Sequence, residues 1–191
     1  QRRRGMNKNI CNQLTISRIV LSFVCFWLVI RNQAWSLTWA MIVFAVAAIT
    51  DFFDGFIARK YGLISDLGKI LDPVADKVLT LGMFFCFAGL GVVAWWMVGV
   101  IAFREIAVTL IRLMRLTKKN VLEAKWLGKH KTVAQMFGIV FILIVLLLRV
   151  IWPKGPDNFF NVAIAVIMWY IVAITLWSGL DFLSKLNKHE A

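Results

Sequence analysis

The sequence predicts an all-α, polytopic membrane protein with six transmembrane helices and a short N-terminal interfacial segment. Three observations carry that expectation. Of the 191 residues, 61% are hydrophobic, and the mean hydropathy is +0.78. The apolar residues are gathered into six long runs, at 14–30, 35–58, 74–92, 93–114, 133–152 and 159–183. Lys and Arg cluster on alternate connections between those runs. A soluble domain is about 45–50% apolar, and a hydrocarbon core asks for about 20 apolar residues per helix. Backbone polar groups inside a bilayer must be satisfied within the segment, so each run is expected to be helical.

The elements follow in order. Residues 1–5 (Gln1 to Gly5) read as an appended tail, and residues 6–191 as one membrane domain. Residues 6–13 are expected to lie as a short interfacial segment before the first span. That span does not read as a signal peptide, because no small-residue cleavage site follows it. Arg31-Asn32-Gln33 separates the first two helices, and Gly89-Leu90-Gly91 the third and fourth. Pro153 to Asn158 is the clearest turn, between the fifth and sixth. Arg115 to Asn120 opens a longer connection into the fifth helix.

Net charge is +12, from 22 Lys and Arg against 10 Asp and Glu. Such a balance fits either nucleic acid or a membrane surface, and position decides. An even number of spans puts both termini on one side. On that side fall Arg2 to Arg4, Lys8, Arg18, Arg59, Lys60, Lys69, Lys77, the cations of 112–131, Lys185 and Lys188. Only Arg31, Arg149 and Lys154 fall near the other. The positive-inside rule then places the termini in the cytoplasm. Most of these cations need no role beyond that topology signal. Three cysteines without CxxC spacing imply no disulfide framework.

The acids are concentrated: five of the ten lie between Asp51 and Asp76. Carboxylates at a bilayer edge are expensive and point to function. Asp51 and Asp54 are three apart, about 60° round a helix, and Gly55 and Ala58 share their face. Arg59 follows. Gly68, Asp72 and Asp76 are spaced four and four, one stripe if helical throughout. Pro73 is costly inside a helix, so a structural alternative makes Asp72 the N-cap of a helix starting at Pro73. It leaves the other three acids unexplained. Four close carboxylates repel, and bound divalent cations remove the repulsion. An all-oxygen ligand set suits Mg²⁺ or Mn²⁺.

The run from Asp51 to Asp76 resembles the signature of the CDP-alcohol phosphotransferase family, D-x2-D-G-x2-A-R-x8-G-x3-D-x3-D, at all eight fixed positions. Chance agreement is on the order of 10⁻¹⁰ per starting position. The signature covers 26 residues, and the six-helix plan fits the family along nearly the whole chain. The resemblance implies a two-metal centre on Asp51, Asp54 and Asp72, with Asp76 as a further ligand and general base. It also implies a cytidine-nucleotide seat at Gly55, Ala58, Arg59 and Gly68, a CDP-diacylglycerol donor and a homodimer. Asn12, Thr15 and Arg18, spaced three and three, could touch the donor phosphate; a helix cap and interface anchor is the plainer reading.

The acceptor must be read outside the signature. Glu105, Thr109 and Arg112 share a face of the fourth helix, with Arg104 one step round. Lys129 and Lys131 open the fifth. Charges in these runs are costly if they face lipid. The stretches 12–18, 103–112 and 127–132 resemble the branch of the family formed by bacterial phosphatidylglycerophosphate synthases. That resemblance implies sn-glycerol-3-phosphate as acceptor, its phosphate held by Arg104, Arg112, Lys129 and Lys131. Lys129 and Lys131 are about 200° apart on a helix, so both face one ligand only if the helix starts late. Positive-inside anchoring is the plain alternative for these cations. Within the family, inositol phosphate, serine or phosphatidylglycerol are the other acceptors to weigh. A divalent-cation transporter is the competing class, but a cation path needs no Gly/Ala/Arg interleaving among its acids. The expected location is a bacterial inner membrane, with the active site cytoplasmic. No role for nucleic acid is expected.

Overall fold

In the computed structural model the backbone is described for residues 8–61, 66–116 and 126–190, and side chains for 16–50, 75–111, 130–182 and 184. Six α-helices follow one another: α1 (Lys8–Arg31), α2 (Ala34–Tyr61), α3 (Asp66–Gly89), α4 (Trp95–Leu116), α5 (Trp126–Ile151) and α6 (Asp157–Glu190). Each carries most of one of the six apolar runs. Residues 8–13 of the expected interfacial segment form the first turns of α1. Of the two readings of Pro73, the continuous helix holds: α3 starts at Asp66 and runs through it. Asp72 is therefore not an N-cap. The proline ring leaves the Lys69 carbonyl without its intrahelical donor, a loss the rest of a 24-residue helix outweighs.

The chain divides into two compact units, Gln1–Gly82 and Met83–Ala191. In the first, α1 packs along α2. Arg18, Ser22, Cys25 and Val29 form a buried row on α1, and Leu37, Ala40, Phe44 and Ala47 one on α2. Alanines in that row let the backbones approach, and Cys25 Sγ reaches the Ala40 carbonyl at 3.5 Å. The turn between them rests on Asn32, whose φ of 47° is a conformation asparagine tolerates. Gln33 then caps α2: its N–H donates to Ser36 Oγ at 3.1 Å, three residues on.

In the second unit α6 packs against both α4 and α5. Its buried row is Ile164, Met168, Ile171, Thr175 and Ser178, the 3–4 spacing of one helix face. A side chain at Gly138 of α5 would run into Ile171 of α6, so that glycine sets the close approach of the two helices. The end of α3 is closed by Gly91 at φ 71°. The Val92 N–H returns to the Phe87 carbonyl at 2.9 Å and the Gly91 N–H to that of Ala88 at 3.0 Å, a Schellman closure. Between α5 and α6, Arg149 fastens the turn. Its Nη2 donates to Asn161 Oδ1 at 2.6 Å, and its Nε lies 3.7 Å from Asp157 Oδ1. The guanidinium also sits 6.0 Å from the centre of the Phe160 ring.

Among the described residues many large apolar side chains face outward. Phe23 and Trp27 on α1, Phe137 on α5, and Trp169 and Trp177 on α6 are all more than half exposed. A helix that is apolar all round needs apolar surroundings. Among the described residues two helical stretches, His130–Ile151 and Asp157–Phe182, are long and apolar enough to cross a membrane.

Candidate active site

The signature is helical in both halves. Asp51, Asp54, Gly55, Ala58 and Arg59 lie in the closing turns of α2, and Gly68, Asp72 and Asp76 in the opening turns of α3. Helical backbone puts Asp51, Asp54, Gly55 and Ala58 on one face, and Gly68, Asp72 and Asp76 in one stripe. Only four residues connect the two helices, so chain length alone keeps Tyr61 and Asp66 within about 18 Å of each other. The side chains of Asp51, Asp54, Ala58, Arg59 and Asp72 lie outside the described residues, as do those of Asn12, Thr15, Arg112 and Lys129.

Asp76 is described, and it is half-buried. Its Oδ2 pairs with Lys77 Nζ at 3.2 Å, and its own carbonyl accepts from Thr80 Oγ1 at 2.9 Å. The carboxylate is thus partly exposed, with one neighbouring cation beside it. Four carboxylates in the sequence, an all-oxygen donor set, would suit a hard divalent cation. Arg18 is only 2% exposed. Its guanidinium is buried, which removes the interface-anchor reading for that residue, since an anchor points outward.

A second constellation lies wholly in the second unit. Glu105 on α4 is 1% exposed, and Lys131 on α5 is 4% exposed. Lys131 Nζ forms an ion pair with Glu105 Oε1. The same oxygen accepts from Gln135 Nε2 at 3.2 Å and lies 3.5 Å from Arg104 Nη1. Arg104 Nη2 donates to Ser178 Oγ on α6 at 2.7 Å. Gly179 makes room for that arginine: a Cβ there would stand 3.3 Å from Arg104 Cγ and 3.5 Å from its Nε. Three helices therefore meet at one carboxylate and one guanidinium. A buried charge left alone is costly, and here each has an opposite partner.

Sequence reading named Arg104 and Lys131 as phosphate cations, and the structure brings the two together through Glu105. It does not give Lys129 and Lys131 a common face. Because α5 begins at Trp126, both lie in regular helix, at positions about 200° apart round its axis. Reading residue by residue passed over Gln135, Ser178 and Gly179. Gln135 had a signal, a polar residue four positions after Lys131 in an otherwise apolar run. Ser178 and Gly179 had none, since a small pair in a membrane helix usually marks packing alone.

Comparison with known proteins bears on most of the chain. The profile of the CDP-alcohol phosphatidyltransferase family matches residues 8–177. A probable phosphatidylglycerophosphate synthase of Mycobacterium tuberculosis is 34% identical over 183 residues, covering 93% of this chain and 81% of its own. The CDP-diacylglycerol–glycerol-3-phosphate 3-phosphatidyltransferase of Escherichia coli is 33% identical over 184 residues, 94% of this chain and 95% of its own. The protein of that name from Shigella flexneri is 32% identical over 185 residues, with the same coverage.

Proposed function

The chain belongs to the CDP-alcohol phosphatidyltransferase family, and from that premise we propose that it transfers the phosphatidyl group of CDP-diacylglycerol to sn-glycerol-3-phosphate, giving phosphatidylglycerophosphate and CMP. The observation that carries the acceptor is similarity to relatives of that activity along 93–94% of the chain, including the cation-bearing helices α4 and α5.

In this reading Asp51, Asp54, Asp72 and Asp76 hold two divalent cations, Mg²⁺ or Mn²⁺. Such a pair, when bound, offsets pyrophosphate charge and stabilises the leaving phosphate of CMP. Gly55, Ala58 and Gly68 leave space for the cytidine nucleotide, Arg59 faces its phosphates, and Asn12, Thr15 and Arg18 reach the donor. Arg104, Arg112 and Lys131 form the acceptor-phosphate site, while Lys129, about 200° round α5 from Lys131, is left to positive-inside anchoring. Asp76 stands one turn beyond Asp72. It takes the proton of the acceptor hydroxyl as that oxygen attacks the lipid-linked phosphorus. No side-chain nucleophile is required.

The six helices are read as six spans in a bacterial inner membrane, with cytoplasmic termini and active site, as one domain over residues 6–191 that functions as a homodimer. The test is CMP release from CDP-diacylglycerol by purified protein, across glycerol-3-phosphate, glycerol, serine, inositol phosphate and phosphatidylglycerol in one detergent and metal. Fastest release with glycerol-3-phosphate is expected. A faster rate with any of the others overturns the acceptor assignment and leaves the transferase assignment standing.

A further inference from the structure

We infer that Glu105 is a positioning residue for the acceptor phosphate: its buried carboxylate fixes Arg104 of α4 and Lys131 of α5 at one point, so that the phosphate meets two cations already in place. The inference rests on the acceptor reading above. Its observations are independent of the metal signature, which lies in other helices.

Three donors converge on a single oxygen, Glu105 Oε1: Lys131 Nζ, Gln135 Nε2 at 3.2 Å and Arg104 Nη1 at 3.5 Å. Lysine and arginine are the side chains with most rotamer freedom to lose when they grip a ligand. Holding them beforehand removes that loss from the binding step. Gln135 shows that the arrangement is directed toward the carboxylate. It is 1% exposed, and its N–H goes to Glu105 while its Oε1 has no hydrogen-bond partner among the described residues. An amide serving only helix packing would be expected to satisfy both ends. Ser178 and Gly179 complete the setting, one binding Arg104 Nη2 and the other admitting its stem. The anion also sits where it weakens the attraction of both cations for any ligand. Glu105 is therefore not placed to maximise raw affinity; it fixes where the cations stand, and so where the attacking hydroxyl lies.

The test uses the full-length enzyme in detergent with three variants: Glu105→Gln, Glu105→Asp and the exchange E105Q/Q135E. The exchange moves the carboxylate across the Glu105–Gln135 hydrogen bond and keeps it between the same cations. Positioning predicts that E105Q raises KM for glycerol-3-phosphate about tenfold or more, the scale of one charge-assisted contact. KM for CDP-diacylglycerol should stay unchanged, and the exchange should recover much of the loss. A structural role alone lowers Tm without separating the two KM values. If E105Q does not fold, E105D carries the measurement: it keeps the charge, shortens the reach, and is expected to raise only the acceptor KM. Folded E105Q or E105D with an unchanged or lowered acceptor KM overturns the inference while the acceptor reading stands. Wild-type protein that does not use glycerol-3-phosphate overturns both.

Discussion

Arg104 and Ser178 lie 74 positions apart and are joined by a 2.7 Å hydrogen bond from Nη2 to Oγ. That bond ties α4 to α6 and holds one of the two cations beside Glu105. Two substitutions should disturb it in the same way. Ser178→Ala removes the acceptor oxygen. Gly179→Ala adds a methyl 3.3 Å from Arg104 Cγ, so the stem must shift. Each is expected to raise KM for glycerol-3-phosphate about threefold to tenfold, the scale of one ordinary net hydrogen bond, because Glu105 still holds the guanidinium. Steady-state rates at saturating CDP-diacylglycerol check this, and unchanged constants in both would separate Arg104 from the acceptor.

The signature acids should be essential through their charge. Asp51→Asn and Asp72→Asn keep size and helix, and both residues lie within regular helices. Activity should vanish and Mn²⁺ affinity, read by electron paramagnetic resonance, should fall. The proteins should still insert and elute from a sizing column as wild type does. Full turnover in thoroughly chelated buffer would remove the metal centre from the mechanism.

Asp76 should behave differently from its neighbours. It is half-buried and balanced by Lys77 at 3.2 Å, and its proposed task includes taking a proton. General-base assistance is worth about 10²–10⁴-fold. Asp76→Asn is expected to lower kcat on that scale while changing donor KM much less. Near-normal kcat would exclude the base role.

Arg112 shares a face of α4 with Glu105, seven positions on. Arg112→Ala should raise the acceptor KM by about tenfold to a hundredfold and spare the donor. Arg112→Lys should recover part of it, because the planar fork is lost while the charge remains. Equal effects on donor and acceptor would move Arg112 out of the acceptor site.

The orientation in the membrane can be read by cysteine labelling on a Cys-free background. Position 119 should label from the cytoplasmic side. For the opposite side position 154 is preferable to 155, because a Cβ at Gly155 would stand 3.0 Å from the Trp152 carbonyl oxygen. Labelling with the sides reversed would overturn the positive-inside assignment.

Much of the architecture was legible because apolar runs of span length have few other uses. All six became helices, and the turns at Asn32, Gly91 and 153–156 fell where turn residues stood. Helix starts were less legible. Pro73 looked like a boundary by its local cost, yet a long helix absorbs one missing hydrogen bond. The acids announced themselves by spacing. The Glu105 cluster did not, because its partners come from three helices and no fixed spacing relates Glu105, Lys131 and Ser178 along the chain. Glu105 itself was visible as a charge out of place; what it held was a tertiary fact.

The turn fastened by Arg149 has a mechanical consequence for the far end of the hairpin. Asn161, Asp157 and Phe160 all engage that one guanidinium, which makes the turn a fulcrum for α5 and α6. Lys131 lies twenty residues back along α5 from Ile151, a lever arm of about 30 Å at helical rise. A tilt of only about 5° about the fulcrum displaces Lys131 by about 2.5 Å over that arm. Any tilt of α5 about that turn is therefore magnified most where Lys131 stands and least at the loop beyond Trp152.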